Sequence, residues 1–98
     1  MYAIFWEYEV RPDQVAAFEA LYGADGDWAR LFRRADGYLE TRLFRDTARP
    51  MHYLTIDRWT SLAAYEAFAR VSEPAYTDLD RRGDALTVSE RRLGAFDG

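Results

Sequence analysis

The stretch YLETRLFRDTARPMHYLTIDRWTS, residues 38–61, decides the fold. Residues 38–45 and 51–59 are rich in aromatic and β-branched side chains, which favour strands. The five residues between them, 46–50, have the length and the turn-forming composition of a hairpin link. Because so short a link can join only antiparallel neighbours, the stretch predicts a β-hairpin.

A helix and a last strand are predicted after the hairpin. Thr60 or Ser61 is a suitable N-cap, and apolar side chains then recur at helical spacing until Pro74 breaks the pattern. A short turn or helix follows over 74–82, and residues 86–96 form a strand of imperfect alternation. The apolar stripe of the helix consists of Leu62, Tyr65, Phe68 and Ala69.

A strand and two helical segments are predicted before the hairpin. Residues 2–10 alternate, so that aromatic and branched side chains share one strand face. Pro12 suits the first turn of a helix that ends at Gly23. A second helix begins with Asp27 as its N-cap and ends at Gly37. The face of the strand consists of Tyr2, Ile4, Trp6, Tyr8 and Val10.

The order of these elements is β-α-β-β-α-β, with the first helix in two pieces. This is the split βαβ plan of ferredoxin-like α+β proteins, with an antiparallel sheet and helices on one face. Unrelated activities share this plan, so the order of elements does not define a function. We expect one domain over residues 1–98.

Charge and composition exclude several partners and chemistries. A net charge of −4 and a pI near 4.9 repel nucleic acid and anionic membranes. The chain has no Cys, which excludes disulfides, thiolate nucleophiles and Cys-ligated metals. No apolar run approaches the ~20 residues of a membrane span, and residues 1–10 lack the basic start of a signal peptide. A cytoplasmic location is therefore expected.

The aromatic content is high for so short a chain. The 98 residues include three Trp, six Phe and seven Tyr, while a domain of this size buries only roughly 60–65% of its surface. Surplus apolar surface on a small domain usually contacts a partner or a ligand. We therefore expect a homodimer.

Three motifs make the chain similar to one family. They are the aromatic first strand leading into residues 10–13, the turn at 36–39, and the segment 53–61 with its Trp59-Thr60-Ser61 junction. In order and spacing they resemble the antibiotic biosynthesis monooxygenase (ABM) family over nearly the whole chain. The resemblance implies a dimeric α/β barrel with one cavity per subunit. It also implies oxidation of an aromatic or quinol-like small molecule by dioxygen, with neither metal nor cofactor.

The resemblance implies part of a catalytic set. Polyketide-oxidising members use an Asn on the third strand, the Trp after it, a Tyr in the second helix and an Arg further along. Trp59 and Tyr65 match the Trp and the Tyr, Thr55 stands at the Asn position, and the Arg has no clear match. Haem-degrading members need an Asn on the first strand, where Trp6 stands, and a helical His that is lacking near Phe68.

Other candidates follow from strand alternation. If Trp59 faces a cavity, then Asp57, Thr55 and Tyr53 share its face, and His52 lies on the other. A buried Asp57 would be a general base with a raised pKa, unless it forms an ion pair with Arg42 or Arg45 on the neighbouring strand.

A single His and several aromatic side chains complete the candidate site. His52 is the one side chain that titrates near neutral pH when unperturbed, which makes it an alternative base. Core packing is the favoured explanation for most of these aromatic residues, and pocket lining is the alternative. The residues that we expect to line a substrate pocket are Trp6, Tyr8, Trp28, Arg42, Tyr53, Thr55 and Phe68.

Three function classes remain after these exclusions. The first is a cofactor-independent monooxygenase acting on an aromatic or quinol-like substrate. The second is a non-catalytic, ligand-binding or accessory dimer, which the incomplete polar set favours. Isomerase or cyclase chemistry on a related barrel is a further alternative.

Overall fold

Four strands and four helices form a ferredoxin-like α+β fold in the computed structural model, which describes residues 1–98. The sheet is antiparallel with strand order β2-β3-β1-β4, as the split βαβ plan predicts. No helix has the length and apolarity needed to cross a membrane. The strands are β1 (Tyr2–Val10), β2 (Tyr38–Arg45), β3 (His52–Trp59) and β4 (Thr87–Asp97), and the helices are α1 (Val15–Tyr22), α2 (Asp27–Phe32), α3 (Leu62–Val71) and α4 (Ala75–Asp84).

The β3–α3 junction forms as its sequence predicts. Ser61 has extended backbone angles, and its hydroxyl accepts a hydrogen bond from the backbone N–H of Ala64 at 3.1 Å. The backbone N–H of Thr60 donates to the carbonyl of Gly37 at 2.8 Å. These two bonds fix where α3 leaves the sheet.

Two predictions near the turns are wrong. Asp27 is the first residue of α2 rather than its cap, because the extended backbone of Gly26 takes the cap position; the carboxylate of Asp27 pairs with Arg30 and Arg82 instead. The hairpin link also includes Met51, whose φ of 69° lies outside the strand region.

The helical bounds also differ from prediction at two places. Helix α2 ends at Phe32, and a turn carries the chain on to β2. Helix α4 runs through Gly83 instead of ending there. A Cβ at Gly83 would lie 2.1 Å from the hydroxyl oxygen of Tyr22, so the missing side chain lets α4 lie close to α1.

The core lies between the sheet and the helices. Trp59 of β3 and Phe18 of α1 are fully buried. Phe32 of α2 contacts both Trp59 and Phe68 edge to face, with ring centroids 5.5 and 5.3 Å apart. Aromatic contacts therefore hold α2 and α3 against one face of the sheet. The buried cluster consists of Tyr2, Ile4, Tyr8, Val10, Phe18, Leu21, Tyr22, Trp28, Leu31, Phe32, Tyr53, Trp59 and Phe68.

Strand register decides which side chains meet on the helix-covered face. Asp57 of β3 lies opposite Ile4 of β1 and Thr41 of β2, and Thr55 lies opposite Trp6. Side chains alternate between the faces, so these residues all point toward the helices. The register thus brings one carboxyl and two hydroxyls into an aromatic interior.

Candidate functional site

A cavity opens between the helix-covered face of the sheet and helices α1, α2 and α4. The cavity has a volume of about 60 Å³. This volume is below the roughly 300–1,000 Å³ of typical small-molecule sites, so a bicyclic ligand enters only if the surrounding side chains move apart. Its lining residues are Trp6, Tyr8, Tyr22, Trp28, Phe32, Thr41, Thr55, Asp57, Tyr76, Asp80 and Glu90.

Asp57 is the polar centre of the cavity floor. Its Oδ1 accepts a hydrogen bond from the hydroxyl of Thr41 at 2.7 Å, and no Arg or His lies within ion-pair distance. Burial raises the pKa of Asp57 from 3.8 to about 6, and the Thr41 bond opposes this shift. A carboxyl with that pKa accepts and releases a proton near neutral pH.

The ion pair of Asp57 with Arg42 or Arg45 does not form. Because Thr41 lies opposite Asp57, the next residue, Arg42, points to the other face of the sheet and pairs with Glu40 at 2.7 Å. Arg45 lies opposite Tyr53, four residues along β3 from Asp57. The register therefore leaves Asp57 without a counter-charge.

Hydroxyls and an indole N–H complete the floor and wall. The hydroxyls of Tyr8 and Thr55 are 3.2 Å apart and share a buried hydrogen bond. The pKa of Tyr8 is raised well above its usual value, chiefly by burial and further by the carboxylates of Asp57 and Glu90. The indole N–H of Trp28 is buried near the Tyr22 hydroxyl without meeting hydrogen-bond geometry.

The mouth of the cavity is acidic. Asp80 and Asp84 lie one turn apart on α4, and Glu90 lies on β4; oxygens of the three carboxyls approach within 4.8 Å of one another. Burial raises the pKa of Asp80 and of Glu90, and repulsion among these carboxylates adds to it. No Arg pairs with any of the three.

Four other predicted site residues do not line this cavity: Tyr53, Trp59, Tyr65 and Phe68. Trp59 is fully buried, with its ring centroid 5.4 Å from that of Tyr65 and 5.3 Å from that of Phe68. The hydroxyl of Tyr53 donates to Glu19 on α1 at 3.0 Å. All four are packing residues of this arrangement, and a direct role for Trp59 or Tyr65 in catalysis stays a prediction.

His52 and Arg42 lie away from the cavity. His52 pairs with Glu9 in the sheet and points to the uncovered face, as strand alternation predicts. It lines a separate, open depression beside the hairpin, together with Phe44, Arg45 and Leu54. The cavity thus has a carboxyl, and not an imidazole, as its candidate base.

The sequence predicts five of the eleven lining residues, namely Trp6, Tyr8, Trp28, Thr55 and Asp57. It does not predict the other six. The helical spacing of Tyr22 and Phe32 could have found two of them, since both lie on inward stripes. The position of Thr41 depends on the hairpin register. The rest lie on α4 and β4, where the sequence pattern is weakest. These are Tyr76, Asp80 and Glu90.

The fold and cavity define a class of small α+β proteins that enclose an aromatic site between sheet and helices. A sequence match to the family described as antibiotic biosynthesis monooxygenase (ABM) covers residues 1–74. The chain belongs to that family. Among proteins of curated function, none matches this sequence.

Solved structures share the whole fold. A cofactor-independent oxygenase of Streptomyces nogalater, SnoaB, in its N63A variant superimposes with a TM-score of 0.77 at 21% identity, covering 99% of this chain and 91% of the other. A Deinococcus radiodurans protein assigned to the ABM family gives a TM-score of 0.78 at 19% identity, covering 100% and 92%. At this identity the likeness establishes the fold alone.

Proposed function

We propose that this chain is a cofactor-independent monooxygenase that oxidises a phenolic or quinol-like aromatic molecule with dioxygen. The observation that carries the proposal is an Asp57 carboxyl of pKa about 6, without a counter-ion, facing an aromatic cavity. A folded protein seldom buries an unpaired carboxyl unless the group has a function, because burying its charge costs free energy. Family membership supports the same chemistry.

The chemistry begins with a proton transfer to Asp57. Removal of the proton from an electron-rich phenol or enol gives an anion that can donate one electron to dioxygen, forming a substrate radical and superoxide. Their recombination at carbon and loss of water convert a ring CH₂ into a carbonyl. In the balance, one oxygen atom enters the product, the other leaves as water, and the substrate supplies both hydrogens.

The lining residues have distinct roles in this proposal. Trp6 and Tyr8 hold the aromatic ring against the sheet, and Trp28 covers it from α2. The hydroxyl of Thr55 orients the ligand oxygen toward Asp57. Excluding water around the anion strengthens these interactions and limits side reactions.

Oxygen consumption tests the proposal directly. We expect uptake with one or more members of a panel of naphthols, anthrones and quinols, at one O₂ per product carbonyl. Asp57→Asn should lower kcat by roughly 10²–10⁴-fold, the usual contribution of a positioned base. Glu66→Gln, an exposed carboxyl on α3, is the matched control and should leave kcat unchanged. Full activity in Asp57→Asn would exclude this carboxyl as the base.

A non-catalytic binding role is the second candidate. The specific observation in its favour is that no Arg lines the cavity and that Thr55 stands where the family resemblance predicts an Asn. Micromolar binding of the same aromatic panel by calorimetry, with no oxygen uptake and no chemical change, would favour this role over oxidation.

We further propose that two copies of the chain pair through the uncovered face of the sheet. This face carries exposed apolar side chains next to partly buried ones, which is unusual for a monomer of this size. Phe5 and Phe96 contact each other edge to face there, with ring centroids 5.4 Å apart. Apolar residues of this face include Phe5, Phe44, Leu54, Ile56 and Phe96.

A further inference from the structure

All charged residues that line the cavity are acidic. Three of its eleven lining residues are acidic and none is basic, although the chain contains 13 Arg. Asp57 lies on the floor, and Asp80 and Glu90 lie toward the mouth. A lining of this kind repels anionic ligands and attracts cations.

The acids at the mouth have no cationic partner in the chain. Elsewhere acids do form ion pairs, such as Asp25 with Arg33 at 2.6 Å and Glu7 with Arg91 at 2.7 Å. Asp80 and Glu90 instead face each other and Asp84, and their mutual repulsion contributes to the raised pKa of both. A ligand cation at this point would relieve that repulsion.

Nearby arginines contact other groups. Arg82 of α4 pairs with Asp27, and Arg81 beside it is exposed. Arg92 of β4 donates to the hydroxyl of Tyr2 at 3.5 Å. Helix α4 therefore presents carboxyls to the cavity and guanidinium groups elsewhere.

The walls distinguish an organic cation from a metal ion. Aromatic faces attract ammonium groups through cation–π interactions but provide no oxygen ligands for a metal. Tyr22 and Tyr76 both lie within the field of Asp80, whose charge adds to the burial that raises the pKa of each hydroxyl. Aromatic rings and carboxylates thus meet in one place. The six aromatic lining residues are Trp6, Tyr8, Tyr22, Trp28, Phe32 and Tyr76.

We infer that the cavity selects aromatic molecules that carry a protonated amine, with the ring between the aromatic walls and the ammonium group against Asp80 and Glu90. This inference rests on the proposed use of the cavity for an aromatic ligand. It adds that the ligand carries a positive charge. Carboxylated or phosphorylated aromatics are excluded by the same carboxyls.

Three probes that share one ring test the inference. By calorimetry at pH 7.5 we would measure the binding of three 2-naphthols, which carry an aminomethyl, a hydroxymethyl or a carboxylate group at position 6. In low salt the amine should bind at least about 10-fold more tightly than the neutral alcohol, and the carboxylate more weakly still. The preference should shrink in about 0.5 M salt, because salt screens charges near the surface.

Substitutions assign the preference to the mouth. In Asp80→Asn/Glu90→Gln, the amine should lose its advantage, so that the amine and the alcohol bind within about threefold of each other. The double variant removes repulsion and should fold at least as well as the parent. Asp78→Asn, an exposed acid on the same helix, is the matched control and should keep the preference.

The outcomes separate this inference from the proposed function. Equal affinity for amine and alcohol, or a preference that survives the double substitution, would overturn the inference and leave the aromatic site intact. Tighter binding of Ca²⁺ or Mg²⁺ than of the amine, abolished by the same substitutions, would overturn it in favour of a metal site. Binding of none of the three probes would count against the aromatic site itself.

Discussion

Thr41 and Asp57 lie opposite each other on β2 and β3, and the Thr41 hydroxyl donates a hydrogen bond to Asp57 Oδ1 at 2.7 Å. This bond stabilises the ionised carboxylate, whereas burial favours the protonated acid. The balance sets the pKa of Asp57 near 6. Thr41 is therefore a positioning residue that tunes the candidate base.

Thr41→Val should shift the pH dependence of oxidation. Removing the hydroxyl removes the effect that lowers the pKa of Asp57, so that pKa rises above 6. The base is active when ionised, and the rise of kcat with pH should move to higher pH in the variant. A pH–rate profile of both proteins measures the shift. Thr47→Val, in the exposed hairpin link, is the control and should keep the parent profile.

Asp57→Asn should stabilise the fold at alkaline pH. The folded pKa of about 6 exceeds the reference value of 3.8, so the folded state binds more protons than the unfolded state between these values. The free energy of unfolding of the parent therefore falls as pH rises from about 4 to 6 and stays lower above 6. Asn resembles the protonated acid and escapes this loss, which amounts to about 2–3 kcal/mol.

Urea unfolding at two pH values measures this difference. At pH 8 the variant should unfold at a higher urea concentration than the parent, and at pH 4 the two should nearly coincide. A variant that is less stable than the parent at pH 8 would mean that Asp57 stabilises the fold through a contact that outweighs its burial.

The sequence was sufficient for the placement of Asp57 but not of Thr41. Alternation alone puts Asp57 on the face of Trp59, because the side-chain period of a strand is two. The partner of Asp57 depends on the turn. A link over 46–50 would pair Arg45 with Met51 and place Thr41 opposite Thr55. In the structure the backbone N–H of Asp46 donates to the carbonyl of His52 and Arg45 lies opposite Tyr53, which shifts the register by two residues.

The extended turn has a local physical cause. The carboxylate of Asp46 accepts hydrogen bonds from the backbone N–H groups of Ala48 and Arg49, at 2.8 and 3.2 Å. Such bonds compete with pairing between the strands and hold a longer turn. Strand patterns carry no information on such bonds between a side chain and the backbone, so they do not predict the length of the turn.

The acidic mouth was beyond prediction for another reason. Asp80 and Asp84 come from α4, which the sequence marks only as a short turn or helix, and Glu90 comes from a strand with irregular alternation. Two register shifts between β1 and β4 move Glu90 into place opposite Tyr8. A cluster that depends on a helix orientation and two bulges leaves no periodic signal in the sequence.

Gly37→Ala should destabilise the β2–α3 contact. A Cβ at Gly37 would lie 2.2 Å from the Cβ of Ala64 and 2.9 Å from the Thr60 hydroxyl oxygen, so the helix must shift. Overpacking of this kind costs about 1–3 kcal/mol. Thermal unfolding should show a lower Tm for Gly37→Ala, while Gly98→Ala, where a Cβ meets nothing within 4 Å, should match the parent. Equal Tm values for both variants would contradict this account.

Phe44→Glu should convert the proposed dimer to a monomer. Phe44 is 44% exposed on the uncovered sheet face and lies opposite Leu54, so a second sheet packed on this face would bury it. A buried carboxylate without a partner disfavours association, whereas in the separated chain it stays in water. Light scattering with size-exclusion chromatography should therefore give a mass near 23 kDa for the parent, twice the 11.4 kDa of one chain, and near 11.4 kDa for the variant. Val71→Glu places the same charge on α3 at a residue 80% exposed and should leave the mass of the parent. A parent that itself runs as a monomer would overturn the proposed dimer.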